Sequence, residues 1–203
     1  MFSTVKKLLF LCFTLAALPA LAQHPDEVAA VRQKLQQERK QATQSTASPA
    51  QKAERLLKLG AWQEAEQVLR QAPPINAVKL AQAKSAMLQN EFRKAEELVH
   101  QVLQNDPDER EALLLQSRLQ VQTWELEKAL ATANTLLTKN AKDEDAALAV
   151  GRILMLQKKY GEALGWAKKV QGWNPKNAEA WLLESDVHFW NQKPELAEQP
   201  LIN

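Results

Sequence analysis

Three cations recur at one interval along this chain. Lys84, Arg118 and Arg152 stand 34 residues apart, each with an apolar residue four before it and another three after it: Leu80-Lys84-Met87, Leu114-Arg118-Val121 and Leu148-Arg152-Met155. A fourth copy, Leu182-Asp186-Phe189, reverses the charge. Ammonium and guanidinium groups bind carboxylates and phosphates, Arg with a planar fork of donors. The apolar neighbours add a second requirement. The chemistry on offer is recognition of a segment that carries acidic and apolar groups together. The competing reading is a solvated, neutralised face, since Glu111 and Asp145 lie seven residues before Arg118 and Arg152.

Other chemistry is scarce. His24, His100 and His188 lie far apart, and none has a second histidine or carboxylate at metal-ligand spacing. Cys12 is the only cysteine and sits in an apolar run near the N-terminus, so the chain beyond it offers no disulfide, thiolate ligand or cysteine nucleophile. With 5 glycines there is no Gly-rich phosphate loop. Acidic residues fall in helix first turns and on polar faces, where solvation accounts for them. The residues present no catalytic constellation, no metal site and no cofactor motif.

Residues four and three apart share one side of a helix, so the cation row needs helices stacked in register. A second recurrence supplies them. Phe92-Arg-Lys-Ala95 returns as Leu126-Glu-Lys-Ala129 and Tyr160-Gly-Glu-Ala163, with Trp62-Gln-Glu-Ala65 as an early copy and Pro194-Glu-Leu-Ala197 as a degraded last one. The alanines at 95, 129, 163 and 197 keep the 34-residue step, whereas Ala65 to Ala95 is 30. Twelve residues before each alanine is another small residue: Ala53, Ala83, Ser117, Gly151 and Ser185. Such pairs let two antiparallel helices approach closely. A period of this length means stacked supersecondary units.

First helices are predicted over roughly 50–59, 76–89, 108–122, 143–157 and 178–191, and second helices over roughly 62–71, 92–105, 125–139 and 160–172. Asp106-Pro107-Asp108-Glu109 predicts a helix start, with a capping side chain, proline in the first turn and carboxylates at the positive helix end. Asn174-Pro175 predicts another, and Gly60 marks a turn. No strand-like alternation competes.

With a large residue three before each alanine (Trp62, Phe92, Leu126, Tyr160) and Pro107 and Pro175 twelve after it, residues 47 to 203 resemble the tetratricopeptide repeat family. The resemblance implies an all-α, right-handed superhelical solenoid of antiparallel helix pairs, about four and a half to five repeats. The repeats would be 49–75, 76–109, 110–143, 144–177 and an incomplete 178–203. It implies that the first helices line a concave groove, which makes Leu80, Lys84, Met87, Leu114, Arg118, Val121, Leu148, Arg152 and Met155 the candidate ligand-binding residues. The asparagines that the family's carboxylate clamp needs in this groove have no counterpart here.

The flanks carry their own signals. Residues 1–22 combine Lys6 and Lys7, an apolar run from Leu8 to Leu18, and Ala20 and Ala22 at a processing site, which predicts a secretory signal peptide cleaved after Ala22. The run is shorter than the roughly 20 residues a membrane span needs. The chain has 26 basic and 24 acidic residues, so removing two lysines leaves 24 against 24 and argues against nucleic acid as a partner. Residues 23–48 read as an N-terminal frayed or capping helix to about Thr43 and a polar linker, Ala42 to Pro49. At the other end Trp181, Phe189 and Trp190 make the last first helix too apolar for an outer face, which predicts a partner interface or a continuation of the chain.

The function expected from these readings is a periplasmic scaffold that binds a peptide or protein, not an enzyme. The alternative is the periplasmic repeat part of an outer-membrane exopolysaccharide export or barrel protein, with an envelope export complex as partner.

Overall fold

The computed structural model describes residues 25–192 and Leu196. Residues 1–22, expected to form a signal peptide, His24 and the expected half-repeat around Pro194 and Ala197 lie outside the described residues. Among the described residues there are ten helices and no strand. The chain is an all-α helical repeat solenoid, divided after Pro73 into two compact units.

The first unit holds α1 (Pro25–Gln44), α2 (Pro49–Lys58) and α3 (Trp62–Arg70), with α2 packed on both α1 and α3. The linker expected from Ala42 is shorter than its composition suggests. Helix α1 runs through Gln44 because Ala42 is buried and Arg39, one turn earlier, donates to the Leu59 carbonyl at 3.0 Å. The chain then turns within three residues into a capping box: Ser48 Oγ accepts from the Gln51 amide, and Gln51 Oε1 accepts from the Ser48 amide. Ser48 followed three residues on by Gln51, with Pro49 at the first helical position, is the signature that identifies a helix start rather than a loop.

The second unit holds α4 (Asn76–Leu88), α5 (Phe92–Asn105), α6 (Arg110–Gln122), α7 (Leu126–Lys139), α8 (Glu144–Leu156), α9 (Tyr160–Trp173) and α10 (Ala178–Trp190). Helices pair as α4 with α5, α6 with α7 and α8 with α9; each second helix also packs on the following first helix. The small residues sit where the pairs close. Ala95, Ala129 and Ala163 are wholly buried, opposite buried Ala83, Ser117 and Gly151. The Ser117 hydroxyl donates to the Ala129 carbonyl at 2.9 Å, so a polar side chain at this position is satisfied by the partner helix.

One device ends every first helix. The residue after the last turn takes a left-handed conformation at Gly60, Asn90, Trp124, Lys158 and Gln192. The next amide reaches back to a carbonyl five residues earlier: Ala61 to Leu56, Glu91 to Ala86, Glu125 to Gln120 and Lys159 to Leu154. These are Schellman bonds, and they satisfy carbonyls that the helix end would leave orphaned. Glycine is free to adopt this conformation, whereas Trp124 carries a bulky side chain into it.

The start of α6, at Arg110 instead of residue 108, and the role of both prolines differ from the expectation, whereas α10 starts at Ala178 as expected. Pro107 and Pro175 precede the helix instead of opening it. Asp106, Asn140 and Asn174 each accept from the amide two residues on, and the amides of Glu109, Asp143 and Asn177 close a turn onto their carbonyls. The proline ring suits the second position of that turn, where its fixed φ is required. The true caps are Glu109, Asp143 and Asn177, each accepting from an amide of the first helical turn.

Candidate functional site

First helices α4, α6, α8 and α10 pack on one another in sequence, so residues at one place in the repeat line up along them. The leucine four before each cation faces inward. Leu80, Leu114 and Leu148 are buried, sharing core clusters with Ala112, Ala146 and Ala180 of the following first helix. They therefore shape the face from beneath; only Leu148 reaches the surface hollow. Met155 packs against the core beside them.

Met87, Arg118, Val121, Leu148 and Arg152 line one cavity of about 180 Å³, together with Asp145, Leu156 and Glu179. Five of the nine candidate residues are thus brought together. Lys84 is not among them. Its ammonium pairs with Glu111 on the next first helix. Arg152 Nη2 pairs with Glu179 Oε2 at 3.0 Å, again on the next first helix. In both pairs the acid lies 27 residues after the cation. Half-exposed pairs of this kind contribute about 0–1 kcal/mol and remain open to exchange.

Asp145 stands 27 residues after Arg118, yet its Oδ2 accepts from Arg110 Nη2 at 2.7 Å. Arg110 also forks onto Asp143 through two bonds of 2.6 Å. Asp143 is only 4% exposed and caps α8 through the Ala146 amide at 3.1 Å. Burial pushes the Asp143 carboxyl up, but the Arg110 guanidinium and the Ala146 amide outweigh it and hold its pKa below the usual range. The hydrogen bonds that Arg110 donates to Asp143 lead the effects that raise its pKa above its ordinary value. Among the described residues the exposed Arg118 forms no ion pair. Arg110 and Asp143 escaped the sequence reading, although an Arg at the first position of a helix, where the dipole favours carboxylates, is a visible anomaly.

The fourth copy of the row places Asp186 half-buried near Arg152. Burial raises its pKa, and the Arg152 charge pulls it partly back. Of the apolar terminal residues, Phe189 and Trp190 are 62% and 61% exposed, packed edge to face with ring centroids 6.0 Å apart. Trp181 is instead half-buried, its indole N–H donating to the Pro175 carbonyl at 2.9 Å, which ties it to the turn before its own helix. A larger hollow of about 620 Å³ beside α5 and α6 carries charges of both signs, including the Glu125–Lys128 pair. Among the described residues no His, Cys, Asp and Glu side chains gather as a metal would need, and no helix is long and apolar enough to cross a membrane.

Comparison with known proteins accords with the repeat. Residues 27–123 match a family model described as the second ARM domain of tetratricopeptide repeat protein 21, and residues 118–174 match a tetratricopeptide repeat model. Among solved structures, a fragment of MamA from Desulfovibrio magneticus RS-1 superposes with a TM-score of 0.56 at 12% identity, over 78% of this chain and 94% of that one. MamA of AMB-1 gives 0.55 at 16%, over 77% and 95%. A tetratricopeptide repeat protein from Parabacteroides merdae gives 0.55 at 20%, over 75% and 62%. A search of curated proteins finds no match. At these identities the likeness is one of fold. The repeat phrase, the paired helices and both family matches agree: the chain belongs to the tetratricopeptide repeat family.

Proposed function

We propose that this protein is an exported interaction scaffold that holds a peptide or protein segment against its first helices, in a binding rather than a catalytic role. The observation that carries the reading is the cavity in which Arg118 and Arg152 lie beside Met87, Val121 and Leu148. A cation set among apolar side chains at the face of stacked repeats suits a partner bringing a carboxylate and an apolar group. Export to the periplasm rests on residues 1–22, with their lysine pair, apolar run and Ala20/Ala22 spacing. Cleavage after Ala22 leaves a protein beginning at Gln23.

The test is a comparison of proteins captured from periplasmic extract by the protein and by a Lys84→Gln, Arg118→Gln, Arg152→Gln variant. The variant is expected to lose a partner and the salt dependence of its binding, with helicity unchanged. Equal capture by both forms would return the row to a solvated face. Mass spectrometry of the recovered protein checks export, and a retained Met1 would overturn it.

A further inference from the structure

Three cations occupy one place in the repeat, and each has an acid 27 residues on: Lys84 with Glu111, Arg118 with Asp145, Arg152 with Glu179. The first and third pairs are formed. The middle one is not, because Arg110 holds Asp145 at 2.7 Å. Arg110 can do so because Asp143 anchors it through two further bonds of 2.6 Å. At the equivalent places the other repeats have Asn76 and Glu144. Neither brings a cation that could draw away Glu111 or Glu179, so those acids neutralise their own row.

We infer that Arg110 is a positioning residue for the groove: by withdrawing Asp145 it leaves Arg118 as the anchor for an acidic side chain flanked by apolar ones. The inference rests on the groove reading above and names the partner's chemistry. Arg110 does not line the cavity. Its effect passes through Asp145, which lines the cavity and, released from Arg110, would compete with an incoming carboxylate for Arg118. The apolar walls, Met87, Val121 and Leu148, then receive the side chains on either side of the acid. A free acid at this site would be met by a cation already stripped of its internal partner, which spares the complex the cost of breaking an ion pair.

The test uses the purified protein and two probes, acetyl-Leu-Glu-Leu-amide and its Gln counterpart, followed by amide chemical shifts in low salt. The Glu probe is expected to shift residues around Arg118 and Leu148 and to bind about three- to tenfold more tightly than the Gln probe. Arg110→Gln should abolish that preference, and Arg110→Gln with Asp145→Asn should restore it. A purely structural loss at Arg110 would not be rescued by Asp145→Asn, so a double variant as indifferent as the single one overturns the inference. An intact preference in Arg110→Gln overturns it too. Equal binding of both probes in this cavity to the unaltered protein would sink the role of Arg118 while leaving the groove reading standing; binding of neither would sink both.

Discussion

Two junctions between neighbouring first helices occupy the same place in the repeat and are held by opposite chemistry. Between α6 and α8 the residue opening the earlier helix, Arg110, donates to the cap of the later one, Asp143. Between α8 and α10 the roles exchange: Glu144 opens the earlier helix and accepts from the cap Asn177 at 2.6 Å and from Asn174 at 3.0 Å. At these two junctions a donor meets an acceptor, supplied by opposite helices in the two cases. The sign of the charge matters one step further out. An arginine has donors to spare and captures Asp145, whereas a carboxylate leaves Glu179 to Arg152. A contact between helices and the charge beside the cavity therefore meet at a single residue.

Breaking the ionic junction gives the largest expected effect. Arg110→Leu leaves the buried Asp143 carboxylate without its counter-charge and should cost about 3 kcal/mol at neutral pH. Asn177→Ala at the amide–carboxylate junction loses a cap and should cost about 1 kcal/mol. Urea unfolding of both variants measures the difference; equal losses would mean that the junctions are interchangeable. The pH dependence sharpens this. Because the Asp143 pKa is lower folded than unfolded, its contribution is complete above the ordinary carboxylate range and disappears as pH falls through the folded value. The gap between the protein and Arg110→Leu should narrow in acid, and a gap unchanged at low pH would assign the loss to packing instead.

A smaller effect is expected where both junctions share a helix. A Cβ added at Gly151 of α8 would clash with Leu183 Cδ2 of α10 at 2.6 Å and would meet the Ala163 carbonyl oxygen of α9 at 3.6 Å, an ordinary van der Waals contact, so α8 is already in close contact with both neighbours. Ala163→Leu should overpack this contact at a cost of about 1–3 kcal/mol and lower the thermal midpoint. An unaltered melting curve would place the repeat in the wrong register.

The smallest expected effect concerns Asp186, near the α8–α10 junction. Its pKa is higher folded than unfolded, so the ionised carboxyl weakens the fold at neutral pH, and this cost is relieved as pH falls through the folded value. Asp186→Asn should raise the melting temperature slightly at pH 7 and lose that gain in acid. A loss of stability at pH 7 would show that its attraction to Arg152 outweighs its burial.

The residues alone determined the period, the helix pairs and the small-residue contacts. These follow from spacing within one helix or between adjacent helices, where a position four residues on, or one repeat on, has only one place to be. Helix ends were legible to within two residues for the same reason; the largest difference falls after the turn at Asp106-Pro107, where one side chain can cap either a turn or a helix and the local sequence does not choose. Only the tertiary structure decided which of the candidate side chains share a cavity. That Leu80, Leu114 and Leu148 turn inward depends on how far each first helix is covered by the next. That Asp145 goes to Arg110 and not to Arg118 depends on differences of a few ångströms among long, flexible side chains, and those distances are set by the stacking of the helices, on which the spacing along the chain is silent.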